Sequence, residues 1–209
     1  SYFVTHLKNL YLSKFRLLDK PAMPAFRWVF SENDLIPGLT LDVMGEYVVA
    51  DITTAPIEHF WFSIRQFIEK AMADLGISHK IIELRENSVR TKEGLEVIQT
   101  ENPPAPFWLD WNGLEWWVAP ASRQKTGFYL DQKLNHTAAR DWAVKLEKKT
   151  ALDLFTFQGG FGLHLAKAGL EVLGVDQSED ALTFARKNAE KNGLKNFTTK
   201  CADVFEWIR

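Results

Sequence analysis

The sequence is poor in the residues that staple or decorate small domains. It has a single cysteine, Cys201, so no intramolecular disulfide can form. A reducing cytoplasm is then the simplest expected compartment. One cysteine and five scattered histidines also argue against a structural zinc site, which takes about four close ligands. No apolar run approaches the roughly 20 residues that span a bilayer, so no membrane association is expected. The first 18 residues show no apolar core followed by a small-residue cleavage site and do not read as a signal peptide. Basic excess is missing too: 25 Lys and Arg stand against 27 Asp and Glu. This weighs against a free-standing nucleic-acid binder, whose binding face is usually basic, although a local basic patch stays open.

Aromatic residues, by contrast, are abundant. Eight tryptophans are present, four of them between Trp108 and Trp117. Clustered rings can stack on unpaired bases, but they more often form core, because each buries a large apolar area. A hydrophobic share of 46% with 25% charged residues is ordinary for a globular chain, and 209 residues make one large domain or two small ones.

Periodicity divides the chain in two. Residues 2–18 carry Phe3, Leu7, Leu10, Tyr11, Phe15 and Leu18 at helical spacing, and Pro21 and Pro24 end that helix. A strand over 26–30 precedes a turn-rich loop at 31–38. Strands over 39–43 and 47–52 flank Met44-Gly45-Glu46 as a hairpin. Pro56 opens a helix whose stripe is Ile57, Phe60, Trp61, Ile64, Phe67, Ile68, Met72 and Leu75, with Gly76 as its stop. Residues 80–84 and 95–100 read as strands. Residues 107–111 and 114–118 flank Asn112-Gly113, a strong hairpin signal. We therefore expect an N-terminal helix over 1–20 and a central strand–strand–helix–strand–strand α+β domain over 21–122.

From about residue 150 strands alternate with helices: 151–155, 163–168, 171–175, 179–192 and 197–201. That order means a parallel, doubly wound sheet, so the fold class is α/β with a Rossmann-like domain over 123–209. The first strand–helix junction runs from Asp153 through Phe155 and Phe157 to Gly159-Gly160-Phe161-Gly162. Glycines there admit a ligand to the backbone, and the helix start offers free N–H groups. The second strand ends in Asp176, placed to accept hydrogen bonds from ribose hydroxyls. Bulky phenylalanines interrupt the G-x-G-x-x-G pattern of dinucleotide sites. Asp153 would also repel a pyrophosphate but attract a sulfonium or ammonium. The cofactor that fits is S-adenosylmethionine rather than NAD. A packing loop with no ligand is the alternative reading.

The stretch Gln124-Lys-Thr-Gly-Phe-Tyr-Leu-Asp-Gln132-Lys133 resembles the Q-K-T-G-[FY]-[FY]-L-D-Q-R signature of bacterial large-subunit rRNA cytosine-C5 methyltransferases. Residues 26–42, from Phe26 through Glu32, Asp34, Pro37 and Gly38 to Asp42, resemble that family's R-L-V-x-x-E-x-D-x-L-P-G-L-x-V-D stretch. The family joins an RNA-contacting PUA domain, a strand–strand–helix–strand–strand domain and a Rossmann-like catalytic domain. The resemblance implies an S-adenosylmethionine-dependent enzyme acting on rRNA. It implies that Lys125, Thr126, Phe128 and Asp131 line the cofactor approach, and that Asp153, Phe155, Gly159 and Phe161 surround the methionine part. Asp176, with Gln177 and Ser178, would hold the ribose, and Asp203 and Val204 would face the adenine.

Departures from the family pattern are equally plain. Lys133 stands where the signature has arginine, and lysine lacks the bidentate fork. On this reading the PUA domain is expected to be absent. Three strands follow residue 150, where a doubly wound domain has about six, and Arg209 comes six residues after Asp203. The chain therefore reads as a fragment with a truncated methyltransferase domain. Its half sheet invites pairing with another chain, a homodimer included. Methylation at cytosine C5 needs a thiolate adding to C6. Cys201 lies ahead of Asp203 and is expected to be a small buried core residue. The catalytic residues stay unassigned, and the chain alone is expected to be inactive. Two alternatives remain: an rRNA guanine-N7 methyltransferase domain, which needs no cysteine, and a non-catalytic module that binds RNA or a partner. His164 is expected to pack or to lie on a helix surface, and Lys145, Lys148 and Lys149 to form a solvated face.

Overall fold

A computed structural model describes residues 1–16, 25–98, 105–120 and 128–209. Two compact units emerge. The first comprises residues 1–109 and 118–130, the second residues 110–117 and 131–209. Among the described residues no helix is long and apolar enough to cross a membrane.

In the first unit α1 (Tyr2–Phe15) begins at Ser1, whose hydroxyl accepts the Val4 N–H as an N-cap. Strands β1 (Ala25–Phe30), β2 (Leu39–Met44) and β3 (Tyr47–Ile52) form an antiparallel meander. Helix α2 (Ala55–Asp74) then crosses over so that β4 (Lys80–Leu84) pairs parallel with β3, giving the order β1-β2-β3-β4. Pro56 sits in the first turn of α2, where its missing N–H costs nothing, and Gly76 follows the helix at φ +70°. The buried stripe is Ile57, Trp61, Ile64, Ile68, Ala71 and Met72. Phe60, expected in that stripe three residues after Ile57, is instead exposed, because its position falls at the margin of the buried arc that Trp61, Ile68 and Met72 centre.

Both helices pack into one core with Trp28, Leu39, Leu41, Val43 and Val48. Trp28 is fully buried and donates its indole N–H to the Leu7 carbonyl at 2.8 Å. Tyr11 meets Trp28 and Phe26 edge-on. A register shift between Arg27 and Val29 marks a bulge. Beside it Arg27 makes two bonds, 2.8 and 2.9 Å, to the fully buried carboxylate of Asp42.

The expected strand over 95–100 is not formed at 95–98, and residues 99–100 lie outside the described residues. Side chains take the backbone bonds that a ladder would use. Asn87 donates to the Ile98 carbonyl and accepts the Ile98 N–H, and Arg90 donates to the Glu96 carbonyl. Those two side chains come from α3 (Asn87–Lys92), which periodicity did not reveal because six residues carry too few apolar positions. Pro21 and Pro24 also lie outside the described residues.

The hairpin β5 (Phe107–Trp111) and β6 (Leu114–Val118) forms a two-stranded sheet of its own. Asn112 and Gly113 have φ of +53° and +77°, as a type I′ turn requires. Leu109, Trp111, Leu114, Trp116 and Val118 are buried, so half of the tryptophan cluster is core, while Trp108 and Trp117 are half-buried.

In the second unit α4 (Lys133–Lys145) leads into β7 (Thr150–Leu154), α5 (Gly160–Lys167), β8 (Glu171–Asp176), α6 (Glu179–Lys191), β9 (Phe197–Cys201) and the short α7 (Val204–Trp207). The strands are parallel in the order β7-β8-β9. Helix α5 starts at Gly160, three residues before its expected start. Ser178 is the N-cap of α6, accepting the Ala181 N–H, and Gly193 follows that helix at φ +68°.

Candidate functional site

Parallel pairing brings the carboxyl ends of the three strands to one level. Leu154 lies against Val175, and Asp176 against Cys201. In an open α/β sheet this edge is where ligands bind. Asp176 sits at its centre, half-buried. Its Oδ2 accepts the Phe157 N–H at 2.9 Å and its Oδ1 the Ser178 N–H at 2.9 Å. An ionised carboxylate has about four acceptor positions, so two directions remain for hydroxyl donors. Gln177 is exposed beside it.

The loop from β7 to α5 is tightly wound. Phe155, Phe157 and Gly159 all have positive φ, at 59°, 50° and 88°. For the two phenylalanines this costs about 1–2 kcal/mol each, held by specific bonds. Thr156 N–H donates to the Val175 carbonyl, Phe157 N–H to Asp176, and Gly159 N–H to the Thr156 carbonyl. Phe155 is exposed and tilts against Phe205 of α7 at 5.4 Å.

Asp153 is a buried member of this loop. Its Oδ2 accepts the Thr156 hydroxyl at 2.6 Å and the Gly162 N–H at 2.8 Å. Burial raises its carboxyl above the usual range. The glycines answer to packing. A Cβ on Gly159 would stand 2.9 Å from Leu163 Cγ, one on Gly160 2.7 Å from His136 Nε2, and one on Gly162 2.5 Å from the Phe197 ring. Phe161 is half-buried and edge-on to His136. Asp203 caps α7, its Oδ1 accepting the N–H groups of Phe205 and Glu206, and Val204 is buried beside it. Cys201, expected in the core, is exposed. It is the last residue of β9, at the open carboxyl end of the sheet where no further layer covers it among the described residues, and its Sγ donates to the Gln177 carbonyl at 3.5 Å.

Of the approach segment, Phe128 is buried in the first unit and Asp131 is exposed in the second, whereas Lys125 and Thr126 lie outside the described residues. His164, expected to pack or to lie on a helix surface, is buried, stacks on His136 and meets Asn112. Asn112 signals only a turn in the sequence, and neither His136 nor the buried Asn188 carries a local signal of its partners.

Phe155, Gln158, Asp176, Gln177, Ser178, Cys201 and Asp203 include no positive charge. A pyrophosphate finds no counter-charge among them. A phosphate-free nucleoside with a cationic group is compatible with this set, so these residues fit S-adenosylmethionine.

The second unit has the Rossmann-like fold of class I methyltransferases. Residues 145–209 match the Methyltransferase domain family. Along its whole length the chain is 35% identical to Ribosomal RNA large subunit methyltransferase I of Aeromonas salmonicida and 36% identical to that of Aeromonas hydrophila, covering 52% and 53% of those proteins. The chain thus spans about half the length of the curated relatives it matches. Among solved structures it resembles SMU.776, a candidate methyltransferase complexed with SAH, at TM-score 0.75 and 21% identity, covering 99% of this chain and 52% of that one. The SAM-dependent methyltransferase of Agrobacterium tumefaciens matches at TM-score 0.57 and 20% identity, over 82% of this chain and 51% of that one.

Proposed function

We propose that this chain carries the cofactor-binding part of an S-adenosylmethionine-dependent methyltransferase of large-subunit rRNA, with C5 of a cytosine as the methylated atom. The observation that supports it most is Asp176. This half-buried carboxylate at a strand end is held by two backbone N–H groups and keeps acceptor positions for a ribose diol. The cofactor supplies an electrophilic methyl on sulfur. The chain's own residues bind and orient it. Asp176, Gln177 and Ser178 hold the ribose, and Phe155, Gly159, Phe161 and Asp153 bound the methionine side. Asp203 and Val204 border the adenine, and Asp131 borders the approach. The rRNA substrate is proposed from the relatives' names, and action in the cytoplasm from the single cysteine. Pairing of two copies of the chain belongs to the same reading.

Thermal melts with S-adenosylhomocysteine and with NAD test the cofactor. A ligand that binds the native state raises the midpoint by mass action. A rise with S-adenosylhomocysteine alone is expected. An unmoved midpoint at millimolar S-adenosylhomocysteine overturns the proposal.

A further inference from the structure

Resting on that reading of the strand-end site, we propose that the tip of the β5–β6 hairpin sets the shape of the cofactor loop through two side-chain relays, which makes Asn112, His164 and Asn188 positioning residues. The hairpin precedes the methyltransferase segment by some 30 residues of sequence, yet residues 110–117 belong to the same compact unit.

The first relay starts at Trp117 on β6. Its backbone N–H donates to Asn188 Oδ1 at 2.7 Å, and Asn188 Nδ2 donates to the Gln158 carbonyl at 3.2 Å. Asn188 has no exposed surface. Gln158 lies between the left-handed residues Phe157 and Gly159. One amide therefore ties the hairpin to the strained turn whose Phe157 N–H reaches Asp176. Four residues along the same face of α6, Asn192 grips the N–H and carbonyl of Glu115 at 2.9 and 2.8 Å. Helix α6 thus meets the β6 backbone much as a neighbouring strand would.

The second relay starts at the turn itself. Asn112 Nδ2 lies 2.9 Å from His164 Nε2 and 3.3 Å from the Lys133 carbonyl. The Gly160 carbonyl beside Nδ1 can only accept, so in the neutral ring the proton sits on Nδ1 and Nε2 accepts from the Asn112 amide. Nδ1 donates to the Gly160 carbonyl at 2.8 Å. Gly160 opens α5 and bears directly on His136, whose ring stacks on His164 at 5.0 Å. Lys167 adds a bond to the Gly113 carbonyl. Both relays end on carbonyls of the loop or the helix start, so the glycine-bearing turn between β7 and α5 is held from behind by the hairpin. A buried amide and a buried imidazole that only filled space would be replaced by apolar groups at little cost. Here each has a partner on both sides.

Asn112→Gly keeps the left-handed turn and removes the first donor. Asn188→Ala removes the other relay. Gly169→Ala, at φ +95° with open space around it, strains the same unit without touching either relay. Two readouts apply to the full chain. One is the Kd for S-adenosylhomocysteine by calorimetry. The other is the amide resonance of Gly159 and Gly160 in the ligand-free protein. Asn112→Gly is expected to weaken binding about three- to tenfold, the worth of one hydrogen bond, and to move both glycine resonances. Gly169→Ala is expected to leave the two resonances in place. If the wild type binds no S-adenosylhomocysteine, the cofactor reading fails while the resonances still test the relays. If Asn112→Gly folds and leaves both resonances and the Kd unchanged, the relays do not position the loop. The turn variant decides the matter should Asn188→Ala fail to fold.

Discussion

The carboxylate of Asp176 receives the backbone N–H of Phe157 across the strand end and that of Ser178 along its own chain, both at 2.9 Å. One side chain therefore closes the turn of the first β–α junction and starts the second. A variant at this position tests binding and loop geometry together. Asp176→Asn keeps the size and one acceptor but loses the charge. It is expected to weaken S-adenosylhomocysteine by about tenfold or more, because hydrogen bonds to a charged group are worth about 1.5–3 kcal/mol. Calorimetric titration checks this, and an unchanged Kd would mean that Asp176 serves the loop alone.

Glycines around the loop should differ in cost according to what a Cβ meets. At Gly162 it would lie 2.5 Å from Phe197 and 2.9 Å from Asp153 Oδ2, with no flexible neighbour to yield. Gly162→Ala is expected to destabilise the chain by about 1–3 kcal/mol, the usual cost of overpacking. Urea denaturation measures it. A loss below 0.5 kcal/mol, taken as roughly the scatter of neutral surface changes, would show that the β9 side of the loop is loosely packed.

Two histidines should make the protein acid-sensitive. Burial, and then the neighbouring His164, hold His136 down at about 4, and burial lowers His164 as well. Asp131 acts on His136 in the opposite sense; for His164 the backbone hydrogen bonds to Gly160 and Asn112 oppose the lowering, and Arg140 and Lys167 add to it. The unfolded chain binds these protons near pH 6.5, the folded chain only at lower pH. Stability is therefore complete above about pH 6.5 and is lost as pH falls toward 4. Melts between pH 7.5 and 4.5 should show a falling midpoint that is flatter in His136→Phe. An equal slope in that variant would locate the sensitivity elsewhere.

Asp51 carries the reverse sign. Burial, with Asp42 and Glu86 adding repulsion and Arg27 opposing, raises its carboxyl to about 6. Its protonated form suits the fold, so its contribution is best below the unfolded value of about 4 and worsens as pH rises through 6. Asp51→Asn should stabilise the protein by roughly 1–3 kcal/mol at pH 8 and by much less near pH 4. Chemical denaturation at the two pH values measures the difference, and a gain that does not grow with pH counts against it.

Exposure of Cys201 predicts that the single thiol reacts with a chromogenic disulfide reagent in native buffer, at a rate that denaturant changes little. A thiol that titrates only after unfolding would restore the buried core position expected of a small apolar residue in a strand.

Much of this was legible in the chain itself. Alternation and glycine punctuation located every strand from Phe26 onward except the false one at 95–100. The Asn112-Gly113 pair fixed a hairpin, because few other dipeptides tolerate two positive φ angles. Asp176 stood out as a charge at the end of an apolar strand. The tertiary structure alone decided what lies far apart in sequence. Local pattern carries no record of which side chain will meet which carbonyl. It could not show that Asn87 and Arg90 would take the hydrogen bonds of 95–98, or that the loop glycines yield to Leu163, His136 and Phe197. Nor could it show that Asn112 would reach His164 across 52 residues. The sequence determined the elements and the charge at the strand end. Packing between distant segments determined the shape of the turn that faces it.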